Sequence, residues 1–180
     1  MAEYPFWRNV RWHCAPLVLM SVLFFSCSGQ SALFRQAARA TTVHVDAFDG
    51  ELLRIAENAR ATLNIFFRHL NRPETGEGNF SVKYAFVADG SAGVGAEQVW
   101  ITNIIFRNGQ YYGTVSSTPV YLTSIRRGDR VNFYVNSITD WMFTQNGRIV
   151  GGYSIRYLLE QIPENQRTDS QRRTLRMFER

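Results

Sequence analysis

Two Asn-Gly dipeptides, Asn108-Gly109 and Asn146-Gly147, each stand between runs of alternating apolar and polar residues. Both residue types tolerate positive φ, so each pair predicts a type I′ turn closing a two-residue β-hairpin. Such a turn also fixes the pairing register. Around the second turn it sets Gln145 against Arg148, Phe143 against Val150 and Trp141 against Gly152. A large indole facing a glycine can lie flat on the opposing backbone.

Strand patterns cover 80–88, 98–106, 110–117, 130–135, 140–145 and 148–153. In the first, Phe80, Val82, Tyr84 and Phe86 share one face. A glycine-rich loop, 90–95, follows it, and Gly128-Asp129 turns the chain into the fourth. Before the strands, Leu52, Ala56, Ala59, Leu63, Phe66 and Leu70 recur in steps of four and three, which is one stripe of a helix. Asp46 or Asp49 can cap its start, Glu51 suits the positive end of its dipole, and Pro73 with the glycines at 76 and 78 ends it. The pattern predicts one amphipathic helix over 49–70 and a short helix over 154–162, before Pro163. The expected fold class is α+β: a long N-terminal helix on a mostly antiparallel sheet of about six strands, then a short C-terminal helix. The pattern leaves open whether the sheet curls into a small barrel. At 180 residues, 45% apolar and 19% charged, the chain is of one-domain length and excludes wholesale disorder.

The first 31 residues read as an export leader. Arg8 and Arg11 precede an apolar block containing Leu17, Val18, Leu19, Met20, Val22, Leu23, Phe24 and Phe25. The block, about a dozen residues, suits a signal-peptide core and is short for roughly 30 Å of hydrocarbon. Two processing routes fit: cleavage before Ala32, after small residues at Gly29 and Ser31, or lipoprotein processing with Cys27 as the lipidated N-terminus. The expected organisation is leader 1–31, tether 32–45, α+β domain 46–162 and basic tail 163–180. The expected setting is the periplasm, with membrane contact only through the leader or a lipid anchor. The tail carries five arginines against three acids with a thin apolar stripe, Leu175 and Phe178, and reads as a frayed helix or disordered segment.

The net charge is +5, and Lys83 is the only lysine among twenty basic residues. Arg126, Arg127 and Arg130 cluster beside Tyr121 and Phe133, a pattern that also occurs in single-strand nucleic-acid binding. Export argues against that partner, so no nucleic acid is expected. Two cysteines exclude a disulfide scaffold. No pair of His, Cys, Asp or Glu has metal-ligand spacing, and no P-loop, G-x-G-x-x-G or G-x-S-x-G run is present, so neither metal nor cofactor is expected.

The stretch most like a site is Asp140-Trp141-Met142 with Gly152-Tyr153 and Arg156 across the second hairpin. It can form a surface groove with an aromatic floor, a carboxylate and a guanidinium. It can equally be structural, with Trp141 packed, Asp140 capping and Arg156 paired. Glu97 and Trp100 on the first hairpin invite the same two readings.

Several of these runs occur together: Glu97-Gln98-Val99-Trp100, Gly113 with Val115 before Pro119, Arg127-Gly128-Asp129-Arg130-Val131, Asp140-Trp141-Met142 and Gly151-Gly152-Tyr153-Ser154-Ile155-Arg156. With Gly78, Phe80, Val82 and Lys83 after the helix, the combination resembles the YegJ-like bacterial family, domain of unknown function 2314. The resemblance spans about 46–162. It implies a secreted, periplasmic or lipoprotein setting for some members and supplies neither an activity nor catalytic residues. Gln98 stands where relatives are expected to carry histidine, which argues against a histidine-based site. The expected function is a non-enzymatic binding domain of the cell envelope, holding a protein or peptide near Trp141, Tyr153 and Arg156. The alternatives are a hydrolase with Asp140 or Glu97 as general base and an immunity-type inhibitor of a toxin.

Overall fold

The structure is a computed structural model that describes residues 50–89 and 95–178. The expected leader and tether, the capping residues Asp46 and Asp49, and Cys27 lie outside the described residues. Among the described residues the order is α1 (Gly50–Ala61), α2 (Leu63–Asn71), β1 (Glu77–Val87), β2 (Ala96–Arg107), β3 (Gln110–Val115), β4 (Arg130–Phe133), β5 (Ile138–Gln145), β6 (Arg148–Gly151), α3 (Tyr153–Glu160) and α4 (Asp169–Arg176). All strand pairs are antiparallel, in the order β4-β3-β2-β1-β5-β6. The sheet is open, with β4 and β6 as its edges, so it does not close into a barrel.

Both hairpin turns form at the Asn-Gly pairs, with φ of 52° and 78° at Asn108 and Gly109 and 50° and 79° at Asn146 and Gly147. The second hairpin pairs Gln145 with Arg148 and Phe143 with Val150, as a two-residue loop dictates, and its ladder ends at Met142–Gly151. Trp141 therefore does not face Gly152 in the ladder. Gly151 and Gly152 are both left-handed (φ 76° and 68°) and turn the chain out of the sheet into α3. The glycine beneath the indole is Gly151, where a Cβ would lie 2.6 Å from Trp141 Cε3.

The predicted single helix over 49–70 is instead two helices that break at Thr62. The cause is a side chain entering the helical ladder. Trp141 Nε1 donates to the Ala59 carbonyl at 2.9 Å and to Thr62 Oγ1 at 3.2 Å. Thr62 Oγ1 also donates back to the Asn58 carbonyl at 2.9 Å. Side chains alternate across the pleat, which gives the sheet two covered faces. Val82, Tyr84, Ile101, Trp141 and Phe143 pack with Ala59, Leu63 and Phe66 of α1 and α2. On the other face Trp100, Met142 and Ile149 pack with Ile155 and Leu159 of α3.

The stretch from Pro163 onward, expected as a frayed helix or disordered tail, holds the eight-residue α4. Its capping box pairs Thr168 with Gln171, satisfying two otherwise orphaned amides. Leu175, Met177 and Phe178 pack on the Trp100–Met142 cluster, and Ile149 N–H of β6 donates to the Met177 carbonyl at 2.8 Å. The thin stripe suffices because the sheet offers it a second apolar face.

Candidate functional site

Asp140 lies on β5 directly opposite Lys83 on β1 and is fully buried. Its carboxylate accepts from the backbone N–H of Trp141 (2.8 Å), Tyr153 (3.3 Å) and Ser154 (2.8 Å), and from Ser154 Oγ (2.7 Å). The N-cap residue of α3 is glycine and offers no side chain. Asp140 takes over that role from a neighbouring strand, satisfying two first-turn amides and placing negative charge at the positive end of the helix. Lys83 Nζ donates to Ser154 Oγ at 3.3 Å and lies 5.9 Å from the Trp100 ring centroid. Burial pushes the Asp140 carboxyl above its ordinary range, while Ser154, Lys83 and Trp141 pull it back. Burial also pushes the Lys83 ammonium below its ordinary range, against the attraction of Asp140. The Lys83–Ser154–Asp140 chain is a buried polar tie between sheet and helix.

The other residues marked in the sequence fall into similar roles. Trp141 is 1% exposed and contacts Phe66, Phe143 and, edge-on, Tyr153. Tyr153 is half-buried, with its hydroxyl 3.3 Å from Thr62 Oγ1. Gly152 is buried, and its N–H donates to the Trp141 carbonyl at 2.7 Å. Trp100 is buried in the second core. Only Arg156 is exposed, in an i,i+4 ion pair with Glu160 at 2.8 Å. The expected surface groove with an aromatic floor does not form, because the indole is inside the fold.

Glu97 is buried and accepts from three successive amides, Val120 and Tyr121 at 2.7 Å and Leu122 at 3.0 Å. Asp89 continues the row, accepting from Thr123 at 2.6 Å and Ser124 at 2.9 Å. Those hydrogen bonds hold the Asp89 carboxyl well below the usual carboxylate range although it is exposed. The two carboxylates thus clamp the β3–β4 loop to the ends of β1 and β2. Past the clamp, Arg126 to Asp129 form a tight turn with left-handed Gly128 (φ 98°) third. Asp129 N–H donates to the Arg126 carbonyl, and Arg126 N–H to the Asp129 carboxylate at 2.8 Å. Gly128 N–H and the Asp129 carbonyl bond to Val115, so the turn is tied to the end of β3.

The cavity this turn borders is the feature that sequence reasoning missed. The β1–β2 ladder ends at Val82–Ile101, yet β1 extends back to Glu77 and β2 on to Arg107. Beyond that pair β1 follows β5 and β2 follows β3, so the sheet forks. Each strand bulges at the fork, at left-handed Asn79 (φ 55°) and Asn103 (φ 51°). A groove of about 580 Å³ opens there, lined by Asn79 and Phe80 of β1, Thr102 and Asn103 of β2, Thr114 of β3, and Arg127 of the turn. The detectable signal was an asparagine just before the first strand pattern and another inside the second, since asparagine is enriched at positive φ. Among the described residues no group of three or more His, Cys, Asp or Glu could hold a metal ion, and no helix is long and apolar enough to cross a membrane.

Comparison with known proteins places the chain. It is 35% identical over 130 residues to a putative ankyrin repeat protein of Neisseria meningitidis serogroup B, covering 70% of this chain and 51% of that one. It is 27% identical over 151 residues to the uncharacterized protein YegJ of Escherichia coli K12, covering 83% of this chain and 91% of that one. The chain therefore spans about half the length of the Neisseria relative and most of the Escherichia one. No solved structure matches it. The family described as "Uncharacterized protein conserved in bacteria (DUF2314)" matches residues 49–174, from the start of α1 into α4, and the chain belongs to that family.

Proposed function

We propose that this member of the family is an exported, non-enzymatic binding module that holds a segment of another polypeptide in the groove at the forked sheet. The observation that carries the reading is the fork itself. Two long strands lie beside one another and stop pairing, which leaves main-chain edges facing an open cleft instead of a closed ladder. Unpaired strand edges are a ready-made backbone template for taking up another chain. The hydrolase alternative finds less support: Asp140 and Glu97 are both buried and occupied by the protein's own amides. The export half rests on the apolar leader of residues 1–31.

Site-specific photocrosslinking tests the binding half in the bacterium that makes the protein. A photoreactive residue at Thr114, in the groove, is expected to trap a polypeptide adduct; the same probe at Leu53, exposed on α1, is not. Equal trapping at both positions, or none at Thr114, overturns the groove as the binding site. Mass spectrometry of the mature N-terminus tests the other half. Lipidated Cys27 or a free Ala32 is the expected result, and an intact Met1 on protein recovered from the cytosol overturns export.

A further inference from the structure

We propose that the segment held in the groove is an extended acidic peptide, which adds as a strand to the edges left unpaired at the fork and sets a carboxylate on Arg127. The inference deepens the groove reading above and rests on it. The groove runs between diverging strands and mixes short polar side chains, among them Asn79, Asn103 and Thr114, with the apolar Leu70, Phe80 and Ile104. Strands that continue past their last shared pair suit an extended segment, whose backbone carries one donor and one acceptor per residue and whose side chains alternate between polar and apolar surroundings.

The charge at one end selects the side chain. Arg126, Arg127 and Arg130 are all exposed, and none takes part in an ion pair among the described residues. The one acid between them, Asp129, already accepts from the Arg126 amide. Arg127 alone of the three lines the groove. It projects from a turn bonded to β3 through Gly128 and Asp129, on a loop clamped by Glu97 and Asp89. A guanidinium on a fixed backbone loses less freedom on meeting a carboxylate than one on a free loop, and its planar fork matches that partner.

The test is selection of a random decapeptide library displayed on phage against the full-length chain, with Arg127→Glu and Arg127→Gln as counter-targets. Unfolding midpoints equal to that of the parent establish that both variants fold. The expected result is enrichment of sequences carrying Asp or Glu on the parent, with about tenfold or greater weakening on either variant. N-methylation of alternate peptide amides is expected to weaken binding by a similar factor, and amide exchange at residues 79–81 and 102–104 to slow in the complex. Binding that ignores the Arg127 variants overturns the carboxylate contact. Binding that ignores N-methylation and leaves the fork amides unprotected overturns strand addition, while the groove reading stands. If no peptide is enriched but Thr114 still crosslinks a partner, the occupant is a folded surface and the proposal fails by itself; if Thr114 crosslinks nothing, the groove reading fails with it.

Discussion

Among the described residues, the two buried tryptophans make opposite use of the same indole. Trp141 Nε1 reaches the Ala59 carbonyl and Thr62 Oγ1, whereas Trp100 Nε1 is buried without a hydrogen-bond partner. Phenylalanine at either position removes similar apolar area. At Trp141 it also abandons one N–H donation shared between a carbonyl and a hydroxyl at the helix break, worth about 1 kcal/mol net. At Trp100 it removes a donor whose unsatisfied burial itself costs about 1–3 kcal/mol. Trp141→Phe is therefore expected to destabilise the fold by about 2–4 kcal/mol more than Trp100→Phe in urea unfolding. Equal losses would show that neither the bond made by the Trp141 N–H nor the unpaired Trp100 N–H matters to stability. These roles were invisible in sequence for a common reason. Alternation showed that Trp141 and Asp140 point to opposite faces of a strand. It could not show that helices cover both faces, and so bury both residues.

Among the elements, the β3–β4 loop is held by carboxylates as well as by the packing of Leu122 and Ile125 on Val99 and Val115. Five successive amides, 120–124, donate to Glu97 and Asp89. The donors favour ionised Asp89, so its folded-state pKa lies below the unfolded value. Its contribution is complete above the ordinary aspartate range and is lost as pH falls through the lowered value. Slowed exchange of the Thr123 and Ser124 amides is expected to persist at about pH 3, where an ordinary aspartate is mostly protonated. Asp89→Ala is expected to speed exchange at those two amides and leave Val120 to Leu122, held by Glu97, nearly unchanged. Release of all five together would make the loop a single cooperative unit. Local pattern carried the hairpins, because an Asn-Gly turn and its flanking alternation lie within a dozen residues. The clamp joins positions more than twenty residues apart through backbone donors, which have no sequence signature. The break at Thr62 has the same origin, since the stripe from Leu52 to Leu70 runs on unbroken and the cause sits on β5.

At the scale of the whole molecule, the sheet is stable only if both its faces are covered, and the two faces are covered differently. α1 and α2 close one face before the strands begin, while the other waits for the last elements of the chain. Composition made 163–180 look dispensable, because Leu175 and Phe178 are a weak stripe on an arginine-rich segment. Weak stripes are adequate where the surface beneath is itself apolar, and here that surface is Trp100, Met142 and Ile149. The Phe178 ring also seats over Gly152, 3.1 Å from where a Cβ would be, so α4 closes the corner at which β6 turns into α3. Truncation after Pro163 removes three half-buried apolar side chains and the Met177 carbonyl that β6 bonds. At about 25 cal/mol per Å² of apolar area, the expected loss is on the order of 3 kcal/mol, read as a lower urea midpoint. The uncovered Trp100 cluster should also bind a dye such as ANS, which reports exposed apolar surface. A truncated chain with the parent's midpoint and no dye binding would return 163–180 to the role of a solvated tail. It would also leave the second face of the sheet without an account of its burial.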